Sequence, residues 1–379
     1  MNTTTNMTMS PNRRILGSID RNSASIIACD EKKSPPNVES VDEKKQAFDL
    51  VCKCRVAEDL DGDLEDSGIL KWSLDDFELV KKLGSGGTAT VFCVKEKQSG
   101  YLVALKIQDA GDHALCEIDA HDPLNHPNIV KMIDYFYSCE SIDPEDEKES
   151  QFEDSDVPKE FMYMIIEICN GGSLHEVIDE SGECEIDEAE AVHYIRNAIE
   201  ALEYVHSHGL VHCDVKPGNF LVHDGVLKLA DFGMAVRDDE KEILGGSPVY
   251  MAPEHLMAWR HMSTKFDHRV DIYSLGVCLY EMLQGFLPYV VIEDKEEEKD
   301  LVSQMADLTI EEEHNFPVLD LRKLNDKTSD EPFYIPPPIF DSLSEEAEDL
   351  ILRMMEPNQE KRITLAEAKQ HPWFKMHGL

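Results

Sequence analysis

Val211-His212-Cys213-Asp214-Val215-Lys216-Pro217-Gly218-Asn219-Phe220 is followed, seventeen residues after Asp214, by Asp231-Phe232-Gly233. Two acids and an asparagine stand in turns beside apolar residues. Oxygen donors of this kind hold divalent cations. One acid, Asp214, is left to accept or orient a hydroxyl proton. Asp-Phe-Gly by itself is a common turn, so its weight depends on what surrounds it.

Upstream lies Leu83-Gly84-Ser85-Gly86-Gly87-Thr88-Ala89-Thr90-Val91. A glycine turn between two strands lets backbone N–H groups approach phosphates, because no Cβ intervenes. Glycine hairpins are common, and alone this is a weak signal. No Gly-Lys-Ser/Thr follows, which excludes a Walker loop. Fifteen residues after Val91, Lys106 stands in the apolar run Val103-Ala104-Leu105-Lys106. An amine there is costly unless it snorkels to the surface or finds an anion. Glu117, in the helical stretch Ala114 to His121, is the candidate partner. Downstream stands Ala252-Pro253-Glu254. Each piece is ordinary, but the ordered set is not.

From about Phe77 to Phe374 the chain resembles the eukaryotic protein kinase superfamily, and within it the serine/threonine protein kinases. The resemblance implies an α+β, bilobal fold: a small antiparallel-sheet N-lobe with one helix, a larger helical C-lobe, and ATP in the cleft between them. It implies that Leu83, Gly84, Ser85, Gly86, Gly87, Thr88, Ala89, Thr90 and Val91 cover the nucleotide, with Ala104 also in the ATP site. Lys106 matches the strand lysine that holds the α- and β-phosphates, and Glu117 its helix partner. Ile166 matches the residue at the back of the adenine pocket, and Glu167 to Cys169 the hinge. Asp214 matches the catalytic-loop aspartate, with Lys216 beside it. Asn219 and Asp231 match the Mg²⁺ ligands. Glu254 looks like the acid that pairs with a late arginine, here Arg362, and Asp271 like a buried aspartate opening the central helix of the large lobe. Lys216 and Gly246-Ser247-Pro248-Val249-Tyr250 follow the serine/threonine pattern. The implied activity is transfer of the γ-phosphoryl group of ATP to Ser or Thr hydroxyls of proteins, with ATP and Mg²⁺ as cofactors. The alternatives are a pseudokinase scaffold without catalysis and a kinase of small molecules.

The chain departs from the family pattern in places. Ala89 replaces the third glycine of the loop. Cys213 stands where an arginine usually clamps a phosphate on the activation segment, and residues 234 to 246 contain no Ser, Thr or Tyr. Clamp and acceptor are missing together, which predicts activity without phosphorylation in that stretch. Cys213 among acids is expected to have a raised thiol pKa rather than to be a redox switch. His121, four residues after Glu117, is expected to be buried and neutral. Ser173 and Gly218 occupy positions where kinases preferring upstream arginine often carry acids.

Composition agrees with a globular protein. Of 379 residues, 42% are hydrophobic and 30% charged, which excludes collagen-like, mucin-like and fully disordered classes. No apolar run approaches the ~18 residues of a membrane helix. Lysine and arginine total 36 against 77 acids, for a net charge of −41. Such a charge opposes non-specific binding to nucleic acid or anionic membrane, and favours basic protein substrates by steering. The ten cysteines include a single close pair, Cys52 and Cys54, without zinc-site spacing. Reduced buried thiols in a cytoplasmic protein are expected, with the nucleus as an alternative compartment. Arg13, Arg14 and Arg21 among Ser and Thr faintly suggest an organelle transit peptide. A monomer is expected.

Residues 1–71, with Ser34-Pro35-Pro36, are expected to be a disordered tail, with a sparse helix at best over Val41 to Val56. The kinase-like domain then spans 77–374, as an N-lobe over 77–168 and a C-lobe over 169–374. Residues 140–160 carry ten acids and two lysines and read as an acidic surface insert. A second insert covers about 291–338. Strands are expected over Phe77 to Leu83, Thr90 to Val94, Leu102 to Ile107, Ile129 to Tyr137 and Phe161 to Ile168. Helices are expected over Glu188 to His206, Val270 to Leu283 and Ser344 to Met355.

Overall fold

The computed structural model describes residues 72–140, 160–180, 186–238, 245–261, 265–292, 318–320, 340 and 343–379. The tail, the helix over Val41 to Val56, nearly all of both inserts and positions 239–244 lie outside the described residues. The described chain falls into two compact units. One runs to Leu174 and includes Gly218–Gly233; the other holds His175–Pro217 and Met234–Leu379.

The first unit is built on five strands: β1 (Phe77–Ser85), β2 (Ala89–Glu96), β3 (Leu102–Asp109), β4 (Met132–Ser138) and β5 (Phe161–Ile166). Their spatial order is β1-β2-β3-β5-β4, and every pairing is antiparallel. The expected strands are thus present, three of them with the expected first residue and the other ends moved by one to three residues. The largest shift is in β4, which starts at Met132 because Ile129 makes only an isolated bridge to Leu229. β1 does not present a buried face. Phe77 is buried, but Leu79 and Val80 are 41% and 50% exposed. β1 is an edge strand, with register shifts between Leu79 and Lys81 and between Lys82 and Gly84 that break its alternation. Among the described residues of this unit, one helix lies between strands, α1 (Asp112–His121). Two apolar clusters fill the unit. One stacks Trp72, Phe77, Phe136 and Tyr163, and the other gathers Val91, Ala104, Met164, Ile166 and Leu221.

The second unit is helical, beginning in α2 (Leu174–Glu180) and continuing with α3 (Glu188–Ser207), α4 (Pro253–His261), α5 (Arg269–Gln284), α6 (Glu345–Met354), α7 (Leu365–Ala368) and α8 (Pro372–Met376). α3 starts where Asp187 accepts a hydrogen bond from the Glu190 N–H, and its 3.6-residue repeat buries Ala191, Tyr194, Ile195, Ala198, Ile199, Leu202 and Val205 as expected. α5 is buried on all sides from Val270 to Gln284, the signature of a helix at the centre of its unit. α6 crosses it closely at Gly276, where a Cβ would stand 2.8 Å from that of Met354. Ser344 caps α6 through the Ala347 N–H. Among the described residues this unit also holds two small pairings, β6 (Leu210–Val211) with β9 (Val236–Arg237) and, in parallel, β10 (Val290–Ile292) with β11 (Val318–Asp320), while β7 (Phe220–His223) pairs with β8 (Val226–Leu229) in the first unit. None was expected, because runs of two to four residues carry no readable period. Among the described residues no helix is long and apolar enough to cross a membrane.

Candidate active-site residues

β3 carries Lys106 between buried Leu105 and Ile107. With only 7% of its surface exposed, the lysine does not snorkel to water. Its Nζ donates to Glu117 Oε1 at 2.5 Å and to Asp231 Oδ1 at 2.9 Å. Burial alone would push the amine pKa down, but the charges of Asp231 and Glu117, and their hydrogen bonds, outweigh it and hold the amine above the usual lysine value. Lys106 is therefore a fixed cation at neutral pH. The ion pair with Glu117 was legible in sequence. The one with Asp231, 125 residues away, depends on the β7–β8 hairpin.

That hairpin pairs Phe220 with Leu229, and the Ala230 N–H donates to the Asn219 carbonyl at 2.8 Å. Asn219 and Asp231 therefore sit beside each other at its open end. Asp231 has φ +62°, a left-handed conformation that Asp tolerates better than most residues. Both residues offer oxygen donors of the type Mg²⁺ takes. Among the described residues no group of three or more His, Cys, Asp or Glu is arranged to hold a metal by itself. A cation there would complete its shell with phosphate and water oxygens, as Mg²⁺ commonly does.

The glycine segment is the β1–β2 turn. Leu83, Gly84 and Ser85 end β1, and Ala89, Thr90 and Val91 begin β2. Gly86 donates its N–H to the Ala89 carbonyl across Gly87 and Thr88, and the hydroxyls of Ser85 and Thr90 lie 2.9 Å apart. Val91, Ala104, Ile166 and Cys169 belong to one apolar cluster, with Leu83 packed against it. Glu167 is tied to the hairpin instead, accepting from Lys228 Nζ at 2.9 Å and from the Lys131 N–H. Burial pushes the Cys169 thiol up to about 12.

In the helical unit, Lys216 Nζ lies 2.9 Å from Asp214 Oδ2 and donates to Ser247 Oγ at 2.8 Å. Asp271 anchors the backbone before them. Its Oδ2 accepts from the His212 N–H and its Oδ1 from the Cys213 N–H, both at 2.9 Å, while His206 Nε2 lies 2.8 Å from Oδ2. Burial works against this carboxylate, but His206 and the hydrogen-bonded loop hold its pKa below the ordinary range. Cys213 has φ +63°, uncommon for a residue with a Cβ. Gly246 (φ +133°) packs so closely that a Cβ there would lie 2.6 Å from the Cys213 carbonyl oxygen. The Cys213 thiol is pushed well up, first by burial and then by Asp271 and Asp214. The direction matches the sequence reading, although burial rather than charge leads. Glu254 and Arg362 form a buried two-pronged ion pair at 2.6 and 3.0 Å.

A scan of protein-family models matches the protein kinase domain over residues 77–374. The chain belongs to the protein kinase family. Among curated proteins it is 31% identical to an Aurora kinase of Debaryomyces hansenii, over 80% of this chain and 63% of that one. It is 30% identical to an Aurora kinase of Dictyostelium discoideum, over 81% and 68%. It is also 30% identical to serine/threonine-protein kinase Aurora-2 of Arabidopsis thaliana, over 80% and 92%. The chain thus spans a little under two thirds of the Debaryomyces relative. These matches place this kinase among the serine/threonine protein kinases.

Sequence reading of this kinase missed Gln108. It is buried, and its Nε2 donates to Glu117 Oε2 at 3.0 Å. The available signal was parity: Gln108 lies two residues after Lys106, and alternate strand residues share a face. His121 behaves as expected. It is buried, its Nε2 lies 2.7 Å from the Val130 carbonyl, and its ring packs on Phe232. Burial lowers its pKa despite nearby Glu117 and Asp231. A lowered histidine stabilises the fold above its unfolded value of ~6.5, and that contribution fades as pH falls toward the folded value. The unfolding free energy from denaturant titrations should therefore fall less between pH 7 and 5.5 for His121→Met than for the parent, by up to ~1.4 kcal/mol per pH unit. Equal slopes would remove His121 as a source of acid sensitivity.

Proposed function

We propose that this kinase transfers the γ-phosphoryl group of Mg·ATP to Ser or Thr hydroxyls of protein substrates. What carries the reading is the completeness of the ionic set: Lys106 is buried and held cationic between Glu117 and Asp231. Neutralising phosphate charge requires such a fixed cation. In this reading Leu83 to Val91 and Ala104 contact the nucleotide, Ile166 closes the adenine pocket, and Glu167 and Cys169 form the hinge. Asn219 and Asp231 would hold Mg²⁺, which when bound spreads the charge of the phosphates. Asp214 orients the attacking hydroxyl and takes its proton. Lys216, bridging Asp214 and Ser247, keeps that carboxylate aimed and adds positive charge.

The activation segment is not switched by phosphate in this reading. Cys213 replaces the clamp arginine, and the junction is held by close backbone packing of Gly246 on Cys213 and by Asp271 beneath. Protein substrates are basic, attracted by the −41 body. The kinase works as a cytoplasmic monomer, without nucleic-acid or membrane partners. Radiolabel transfer from ATP to a generic basic protein, in parent and Asp231→Ala, tests the activity. Labelling in the parent alone supports it, and equal labelling sinks it. Phosphatase treatment of the parent should leave the rate unchanged. A loss would place phosphate control at Ser247, Tyr250 or elsewhere.

A further inference from the structure

We infer that Gln108 is a positioning residue for phosphoryl transfer, acting on Glu117. The inference rests on the reading that Lys106 and Glu117 serve the nucleotide. Glu117 has two carboxylate oxygens to fix. Lys106 holds Oε1, and Gln108 Nε2 holds Oε2 at 3.0 Å. Both donors come from β3, two residues apart, so one rigid strand grips both prongs of a carboxylate on α1. All three side chains are buried. Opposite on β5, Met164 pairs with Lys106 in register and sets its sulfur 3.8 Å from Gln108 Nε2. On the far side, a Cβ at Gly233 would stand 3.5 Å from Glu117 Oε2, so the gripped oxygen lies next to the Asp-Phe-Gly turn.

The choice of amide follows from charge. A second lysine or arginine would draw Glu117 away from Lys106. A glutamate would repel it. An aliphatic residue would leave Oε2 buried without this donor. A neutral donor fixes the carboxylate plane and leaves its charge to Lys106. When Lys106 engages phosphate, Glu117 must remain still for the amine to remain aimed, and Gln108 supplies that stillness.

The test is a double-mutant cycle read by affinity for a fluorescent ATP analogue with magnesium, alongside steady-state kinetics. Gln108→Met conserves volume and removes the donor. It should weaken nucleotide binding and raise the KM for ATP by roughly five- to tenfold, about 1 to 1.4 kcal/mol. The KM for the protein substrate should stay near that of the parent, and the melting temperature should fall by no more than a few degrees, the cost of the lost donor. Gln108→Glu should weaken binding further. In a Glu117→Ala background, Gln108→Met should change nothing more. Unchanged nucleotide affinity in Gln108→Met, or the same loss with and without Glu117, overturns the positioning role. A parent that binds nucleotide but transfers no phosphate refutes the catalytic reading and leaves the affinity cycle to judge Gln108. A parent that does neither refutes both.

Discussion

Asp214→Asn should lower kcat by roughly 10²- to 10⁴-fold, the usual contribution of positioned acid–base catalysis, with the melting temperature nearly unchanged. The amide is the same size and can still meet Lys216 through its carbonyl oxygen, but it cannot take a proton. The loop should survive, because its backbone is tied through His212 and Cys213 to Asp271 rather than to Asp214. Steady-state rates at saturating ATP and protein substrate, with a thermal melt of the same sample, provide the check. A rate within tenfold of the parent would remove Asp214 from the proton path. A melt that drops by many degrees would make the variant uninformative about chemistry, and Asp214→Glu, which keeps the basic group but moves it, would then replace it: loss of rate with a normal melt would still assign the role.

Arg362→Ala should produce the largest loss of stability. The guanidinium is buried, grips both oxygens of Glu254, and donates to the carbonyls of Arg269 and Glu356 while lying over the Tyr273 ring. Truncation leaves a buried carboxylate without its counter-ion, a change that typically costs about 3–5 kcal/mol. Replacing both partners with apolar residues of similar volume should recover much of that loss. Urea midpoints for Arg362→Ala and for Glu254→Met with Arg362→Met would measure both values. If the single variant loses under 1 kcal/mol, the pair carries little of the fold's stability.

Legibility varied with the length of the pattern. The 3.6-residue repeat of α3 runs for twenty residues, and every buried position it implied is buried. Lys106 was legible because an amine inside an apolar strand demands an anion, and Glu117 lay eleven residues away. Gln108 escaped notice because a lone amide is chemically unremarkable until its partner is known. The strand at β1 was legible, but the exposure of Leu79 and Val80 was not, because only the sheet order shows β1 to be an edge. Cys213 was flagged as a missing arginine, but nothing in its neighbours announced a left-handed backbone.

Local chemistry written in the chain determined the family: residue types in a fixed order, amphipathic repeats, glycines between strands. Such features act over a few residues, so they are readable one window at a time. Which carboxylates share Lys106, how Asn219 comes to stand beside Asp231, and why Cys213 adopts its backbone on Asp271 were decided only by the folded chain. Each depends on groups tens to more than a hundred residues apart, and their energies exist only once burial has removed the water that would otherwise satisfy them.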